Sequence, residues 1–539
     1  MGNNKFKLTK LALALGLTAT LSGCFSDNDN NDYVKPPVKP EPTVKVPIPD
    51  TPTALSFYVA GNVVDSVSGE VVASTVKFLE AGVASTNVTA LNGDEITEVS
   101  ADDGFFTFTL AEGAELTSLT ALVTAEGYAS NSVIIDLSDK SEVVDTIVSL
   151  VKLDEAKVTI LKKENIAAAD GKLATPLDET AGAASIKIGS DIELQDAAGA
   201  AVTGTEITLN VVTADINATA DKTPAVDLIP EGLSNADAAK VVVPAAYMTV
   251  EMFAGDTKVK NFSGDISLAA NLPNTFKTID GSTVAAGDKF DVSSYNEETG
   301  VWTNETEKAT VGTAGALTLP ANFATDHLTG FALSEGQTAC TTPIAYTFTG
   351  DAVPASGLYV HLNSSTISKK KLVKKNQGNL YGSGVVANNA VANVSVRDKN
   401  GNVWATVANA NLCGTVNVEL NSPVDIVSQN LNVTYTCSNA EVDQNKAFPF
   451  TGAVVLYSQT KRAISTAVET AGSYALTGLQ SGSSYDVKVI PTGVNVGLQS
   501  TTVTANGTDV TFNIPRDNCT VEDRVVTGTT GTTGTTGGS

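Results

Sequence analysis

Short alternating runs of β-branched and aromatic residues, broken by glycine-containing turns, limit this chain to one class of fold. Ser56–Asp65, Val71–Phe78, Phe105–Leu110 and Leu119–Ala125 follow one another in this way. Ile186–Leu194, Glu206–Val212 and Ala246–Phe253 repeat the pattern farther along. Strands at intervals of roughly 8–12 residues with turn signals between them specify antiparallel sheets packed face to face. Asn92-Gly93 and Asn400-Gly401 mark hairpins, and the first is expected as a type I′ turn. Val394–Val407 is the second hairpin, with Trp404 on its return strand. One helix is expected, over Ser234–Lys240, with Ser234 or Asn235 as its N-cap. The expectation is an all-β chain of tandem antiparallel β-sandwich domains. Its 539 residues make three or four of them, at roughly 150 residues each.

Composition removes several function classes. Lys plus Arg is 34 and Asp plus Glu is 59, a net charge of −25. Nucleic-acid binding needs a basic stripe, so no nucleic-acid partner is expected. With 42% hydrophobic and 17% charged residues the chain is too apolar to be mostly disordered. Its only histidines are His327 and His361, too few for multi-histidine metal sites. No metal and no cofactor are expected.

The N-terminus reads as a targeting segment. Lys5, Lys7 and Lys10 precede an apolar run, Leu11–Leu21, shorter than the roughly 20 residues needed to span a bilayer. Leu21-Ser22-Gly23-Cys24 resembles the lipobox of bacterial lipoproteins. The resemblance implies removal of residues 1–23, diacylglyceryl modification of the Cys24 thiol and anchoring to membrane lipid. Phe25 follows where Asp would signal inner-membrane retention. The implied location is therefore the outer membrane, on its periplasmic or surface face. Residues 24–53 form a tether, Asn/Asp-rich and then proline-rich from Pro36 to Pro52. Asp27, Asp29 and Asn31 have calcium-loop spacing, but Asp32 and Val38 stand where that loop needs Gly and Glu.

Within residues 54–153, Gly61, Val63, Asp65 and Gly69 open a hairpin. Asp102, Asp103, Gly104, Phe106 and Phe108 follow, and then Gly127-Tyr128. The order resembles the carboxypeptidase regulatory-like module, of transthyretin-like or starch-binding-like sandwich fold. That resemblance implies no catalytic residues, and some relatives of that fold bind glycans. Phe105, Phe106, Phe108 and Tyr128 are expected to pack in the core. Residues 154–335 are β-rich. There Tyr295-Asn296-Glu297-Glu298-Thr299-Gly300-Val301-Trp302 and the later His327-Leu328-Thr329 resemble a module of bacterial surface proteins and of animal matrix proteins of the cartilage intermediate layer type. Asp326 departs from the threonine of that pattern. His327 beside Asp326 is expected to pack rather than to act as acid, base or ligand. Glu297 and Glu298 are adjacent on a turn and should diverge, unlike the facing carboxylates of a glycosidase.

Residues 336–436 are expected as a third sandwich and 437–519 as a fourth. The fourth again resembles the regulatory-like module through Thr470–Leu479, Gly482 and Tyr485. With Cys24 acylated, Cys340, Cys413, Cys437 and Cys519 remain. Four cysteines in an exported chain allow three disulfide connectivities. Cys340–Cys413 with Cys437–Cys519 is preferred, because each pair brackets one segment. Cys340–Cys519 with Cys413–Cys437 is the alternative. Lys369, Lys370, Lys371, Lys374 and Lys375 break the acidic background. They read either as a solvated loop or as a contact for an anionic ligand, such as acidic polysaccharide or lipid phosphate. Residues 520–539 read as a flexible Thr/Gly tail.

The function expected is a non-catalytic envelope lipoprotein: a structural, adhesive or ligand-presenting stalk. Its partners would be membrane lipid and a glycan or another envelope protein. A carbohydrate-binding array is the alternative and would show a row of exposed aromatics. A hydrolase built from Asp and Glu would show a cleft with carboxylates about 5–10 Å apart.

Overall fold

The computed structural model describes residues 43–47 and 51–525, apart from 142, 155–157, 215–224, 235–239, 279–280, 314, 316–317, 439–445, 495 and 517–518. Cys24, the signal segment, most of the tether and the tail beyond 525 lie outside the described residues. So do residues 235–239 of the expected helix, and Lys240 already belongs to a strand. The chain falls into two units. One spans residues 47–521, and the other holds the pair formed by strands Thr43–Pro47 and Val521–Val525. That pair corrects both end assignments, since part of the proline-rich tether and part of the tail are extended strands hydrogen-bonded to each other. No helix among the described residues is long and apolar enough to cross a membrane.

The first domain is a two-sheet sandwich. Strands β1 (Val59–Asp65), β3 (Phe105–Leu110) and β6 (Val144–Leu150) form one sheet. Strands β2 (Ser74–Glu80), β4 (Ser118–Thr124) and β5 (Asn131–Asp136) form the other. β1 pairs antiparallel with β3 and parallel with β6. Val59, Val63, Phe106, Phe108 and Val148 point between the sheets into the core. A Cβ on Gly61 would lie 2.1 Å from the Phe106 ring; only glycine lets that ring lie flat across β1. Asp65 caps the turn that follows, its Oδ1 accepting from Val67 N at 2.9 Å and Ser68 N at 2.8 Å. These motif residues therefore build the hairpin.

The second domain is a single sheet of thirteen strands rolled on itself. In chain order its main strands are β7 (Thr159–Ala169), β8 (Leu177–Ala181), β9 (Ala184–Ile188), β10 (Glu206–Thr213), β11 (Lys240–Ala254) and β12 (Asn261–Pro273). They continue with β13 (Lys289–Asn296), β14 (Val301–Val311), β15 (Thr318–His327) and β16 (Gly330–Thr338). The spatial order β7-β10-β11-β16-β13-β14-β15-β12-β9-β8 brings the outer strands β7 and β8 together, where Lys163 pairs with Glu179. Helix α1 (Ala225–Leu228) is a single turn.

The third domain comprises β17 (Ile344–Gly350), β18 (Leu358–Asn363), β19 (Ser368–Val373), β20 (Gln377–Tyr381), β21 (Val391–Arg397), β22 (Val403–Asn411) and β23 (Thr415–Leu420). The fourth comprises β24 (Ile426–Cys437), β25 (Val454–Ser458), β26 (Ser473–Gln480), β27 (Ser484–Ile490), β28 (Gln499–Thr504) and β29 (Val510–Arg516). Leu431, Val433 and Tyr435 belong to the fourth core, while Ile426 at the start of the same strand packs against the third. Domains one, three and four share a topology. In each, the first and last strands pair in parallel; the opposite sheet is β2-β4-β5 in the first domain, β25-β27-β28 in the fourth and β18-β21-β22 in the third, where β19 is added at its edge. Cys340 is bonded to Cys413 and Cys437 to Cys519, one bridge in each of the last two domains.

Both expected hairpin turns form, with a correction to the first. Gly93 has a φ of 93° while Asn92 is not among the residues with positive φ. Gly93 N donates to Ala90 O and Ala90 N to Asp94 O. This is a turn closed by one left-handed glycine, not a type I′ pair. Asp398–Asn402 repeats it, with Gly401 at 91°.

Candidate functional site: the junction on the first domain

Two of the charged side chains singled out by the sequence, Lys370 and Lys374, lie at a contact between domains. Every strand of the first-domain sheet β3-β1-β6 has an outer face as well as a core face, and alternation assigns the residues. Tyr58 and Ala60 point outward and pack with Val454, Leu456 and Ile464 of the fourth domain. Asn62, also outward and 1% exposed, pairs with the backbone of Ile464. Ile464 N donates to its Oδ1 at 2.7 Å, and its Nδ2 donates to Ile464 O at 3.4 Å. Lys488 reaches Asp103 and lies 4.4 Å over the Phe105 ring. Thr53 N donates to Thr492 O at 2.8 Å. β1 is buried along its whole length because both its faces are covered.

Asp145 and Ser149 point outward from β6 to meet the third domain. Leu358, Val360 and Leu362 of β18 enter the third-domain core, so Tyr359 and His361 turn the other way. Two of the five lysines, Lys370 and Lys374, reach this contact. Lys369, Lys370 and Lys371 form part of strand β19, with Lys374 and Lys375 in the turn after it, which corrects the loop reading. Lys370 Nζ donates to Ser149 Oγ at 2.8 Å. Lys374 and Lys399 close on the Asp145 carboxylate at 2.8 and 3.1 Å. The side chains of Asp145 and Lys399 are 5% and 4% exposed, so this is a desolvated pair. Lys369 and Lys371 project from the opposite face of β19, 5.4 and 5.5 Å from the Tyr381 ring. Lys370 and Lys374 are thus already engaged by the chain's own groups rather than gathered into an open patch for an anion.

The electrostatics follow from burial and sharing. Burial pushes the Asp145 carboxyl up, and the two ammoniums more than reverse this, holding it below the usual carboxylate range. Burial pushes the Lys399 ammonium down, and the attraction of a shared carboxylate does not make up the loss. Burial likewise brings Lys370 to about 8 and holds Asp227 of α1 above the ordinary carboxylate range, despite Ser368 and Lys370 nearby.

Lys399 is aimed by the turn it sits in. Asp398 Oδ1 accepts from Asn400 N and Asn402 N, both at 2.9 Å, and its Oδ2 accepts from Trp404 Nε1 at 3.2 Å. The next residue, Asn400, contacts the fourth domain. Its Nδ2 donates to Gly478 O and its Oδ1 accepts from Tyr485 OH, each at 3.2 Å. Asp145, Asn62, Asp398, Lys399 and Tyr359 were not singled out by the sequence; the Asn400-Gly401 turn was the one local signal near them.

The second domain seats on the first through its hairpin 296–300. Asn296 Oδ1 accepts from Glu298 N at 2.9 Å and Thr299 N at 3.1 Å. Gly300 lies against Thr120 and Leu79 of the first domain. Trp302 donates to Pro230 O at 3.2 Å and packs on Tyr295 and Tyr247. Glu297 pairs with Lys258 and Glu298 with Lys260, so the adjacent carboxylates diverge. His327 Nδ1 lies 3.1 Å from Asp326, its Nε2 lies 3.6 Å from Glu305, and its ring packs on Phe331. Trp302 and Trp404 are both held by hydrogen bonds between protein groups, not set out as a platform for sugar rings. No group of three His, Cys, Asp or Glu among the described residues could hold a metal ion.

No family model matches this chain, and no curated protein matches it. Its matches among solved structures are weak. The minor pilin of Streptococcus agalactiae is 11% identical, over 33% of this chain and 97% of its own, with a TM-score of 0.17. The major pilin subunit of Bacillus cereus is 11% identical over 85% and 99%, with a TM-score of 0.13. Two B repeat units of the collagen-binding protein of Staphylococcus aureus are 12% identical over 83% and 99%, with a TM-score of 0.12. The chain itself is an all-β protein of tandem sandwich domains.

Proposed function

We propose that this is a non-catalytic envelope lipoprotein, held to the outer membrane by acylated Cys24, whose β domains act together as a structural or adhesive body. The observation that carries the reading is where the polar side chains are spent. Asp145, Lys374 and Lys399 join the third domain to the first, and Glu297 and Glu298 are tied to separate lysines. A hydrolase would hold two carboxylates facing each other across a cleft. The anchor rests on Leu21-Ser22-Gly23-Cys24 behind a short apolar run. The domains are joined sideways through the first, which suits a compact presented body better than a string of beads.

Cys24→Ser is expected to move the protein from the membrane pellet to the soluble fraction. Retention after carbonate washing would remove the anchor. The mature protein is expected to leave peptides, esters and glycans unchanged in a broad screen. Turnover that disappears on substituting one Asp or Glu would overturn the non-catalytic reading.

A further inference from the structure

The contact between the third and first domains is unlike the contact between the fourth and first. The latter is apolar, through Tyr58, Ala60, Leu456 and Ile464. The former is lined by Tyr359, Lys370, Lys374 and Lys399, set against Asp145 and Ser149, and His361 lies beside Lys370 on the same face of the third-domain sheet. Desolvated charge pairs add little net stability, but they hold one arrangement and fail when either charge changes. A contact of this kind is suited to reversible opening.

His361 occupies the sensitive position. It lies in register with Lys370 of β19 and Ser395 of β21, on the face of β18 turned away from the third-domain core. Its Nε2 is buried and has no hydrogen-bond partner among the described residues. The charges facing it are cations, Lys370 on β19 and Arg397 on β21. Two carboxylates, Asp227 of α1 and Asp65 of β1, act on the Lys370 ammonium. A proton on the buried Nε2 of His361 would add a third positive charge beside the partly buried Lys370 and the exposed Arg397.

We propose that the docking of the third domain on the first is a pH-gated latch with His361 as its sensor. Docked, burial first and then Lys370 and Arg397 bring the imidazole from 6.5 to about 3. Released, it regains its ordinary affinity for a proton. Stability of the docked form is therefore full above pH 6.5 and falls as the pH drops toward 3. Between pH 7 and pH 5 the equilibrium moves about 25-fold toward release. Lys370 remains charged throughout this window. Asp227 titrates in the opposite sense, since burial favours its protonated form in the docked state, and so limits the shift.

The chain has only two histidines, which makes the assignment testable. Column-coupled X-ray scattering on the full chain is expected to give a larger radius of gyration at pH 5 than at pH 7, with the near-ultraviolet dichroism of the cores unchanged. His361→Gln should remain compact at both values, and His327→Gln should expand as the parent does. Asp145→Asn, which removes the counter-charge of Lys374 and Lys399, should be expanded already at pH 7. The latch is overturned if the parent keeps one radius at both values. It is equally overturned if expansion is accompanied by loss of the near-ultraviolet signal, if His361→Gln expands like the parent, or if Asp145→Asn stays compact at pH 7.

Discussion

At the scale of single residues, Asp145 is a buried carboxylate shared by two domains. One carboxylate serves two ammoniums, and neither it nor Lys399 has appreciable access to water. Breaking such a pair on one side leaves an uncompensated buried charge, at a cost of about 3–5 kcal/mol. Asp145→Asn should lower the earliest thermal transition by that order, because Lys399 would then stay buried without its counter-charge. The pH dependence follows from the depressed carboxyl. Its contribution is fully present above the ordinary value of 3.8 and is lost as pH falls through the lower, folded one. Calorimetry between pH 7 and pH 3 should show this acid loss in the parent and its absence in Asp145→Asn. An unchanged first transition in the variant at pH 7 would show that the pair does not hold the junction. None of this was visible in the sequence. Asp145 and Lys399 are 254 positions apart, and an isolated aspartate near a strand carries no local sign of its partner.

At the scale of elements, the sequence was most legible where a turn needs a particular residue. Asp65 before Gly69, and Asn400 before Gly401, announced hairpins that form. The turn type at Asn92-Gly93 was misread because a single left-handed glycine is enough when the loop has three residues. The lysine strand β19 was missed for a different reason. Lys370 on its outward face is held by Ser149 of another domain, and Lys369 and Lys371 occupy its other face, so the apolar alternation that marks a strand is absent. The third domain repeats the topology of the first and fourth without their Gly and Tyr motif. The two bridges were legible because each pair of cysteines encloses one domain. In the chain-entropy picture, loops of 73 and 82 residues are worth about 4.5 kcal/mol each. Reduction should therefore lower the melting of the third and fourth domains and spare the first two. Four free thiols in protein taken from the envelope would contradict the pairing.

At the scale of the whole body, residues 47–521, the first domain is a hub. The second domain reaches it through Gly300 and through Glu231, whose Oε2 accepts from Ile134 N at 2.9 Å. The third reaches it through Lys374 and Lys399, the fourth through Ile464 and Lys488. A tandem reading of the sequence suggests neighbours joined in order, since hydrophobic patterning shows which face of a strand is buried but not what buries it. β1 is the instance. Its outer residues Ala60 and Asn62, with Tyr58 just before it, lie under the fourth domain. The central claim is that the first and fourth domains are packed together although 385 positions separate Asp103 from Lys488. Zero-length carbodiimide coupling near neutral pH, read by peptide mass spectrometry, tests it directly. The arrangement predicts an amide between Asp103 and Lys488, together with links from Asp145 to Lys374 or Lys399. Coupling confined to pairs within one domain or between domains consecutive in the chain would contradict it.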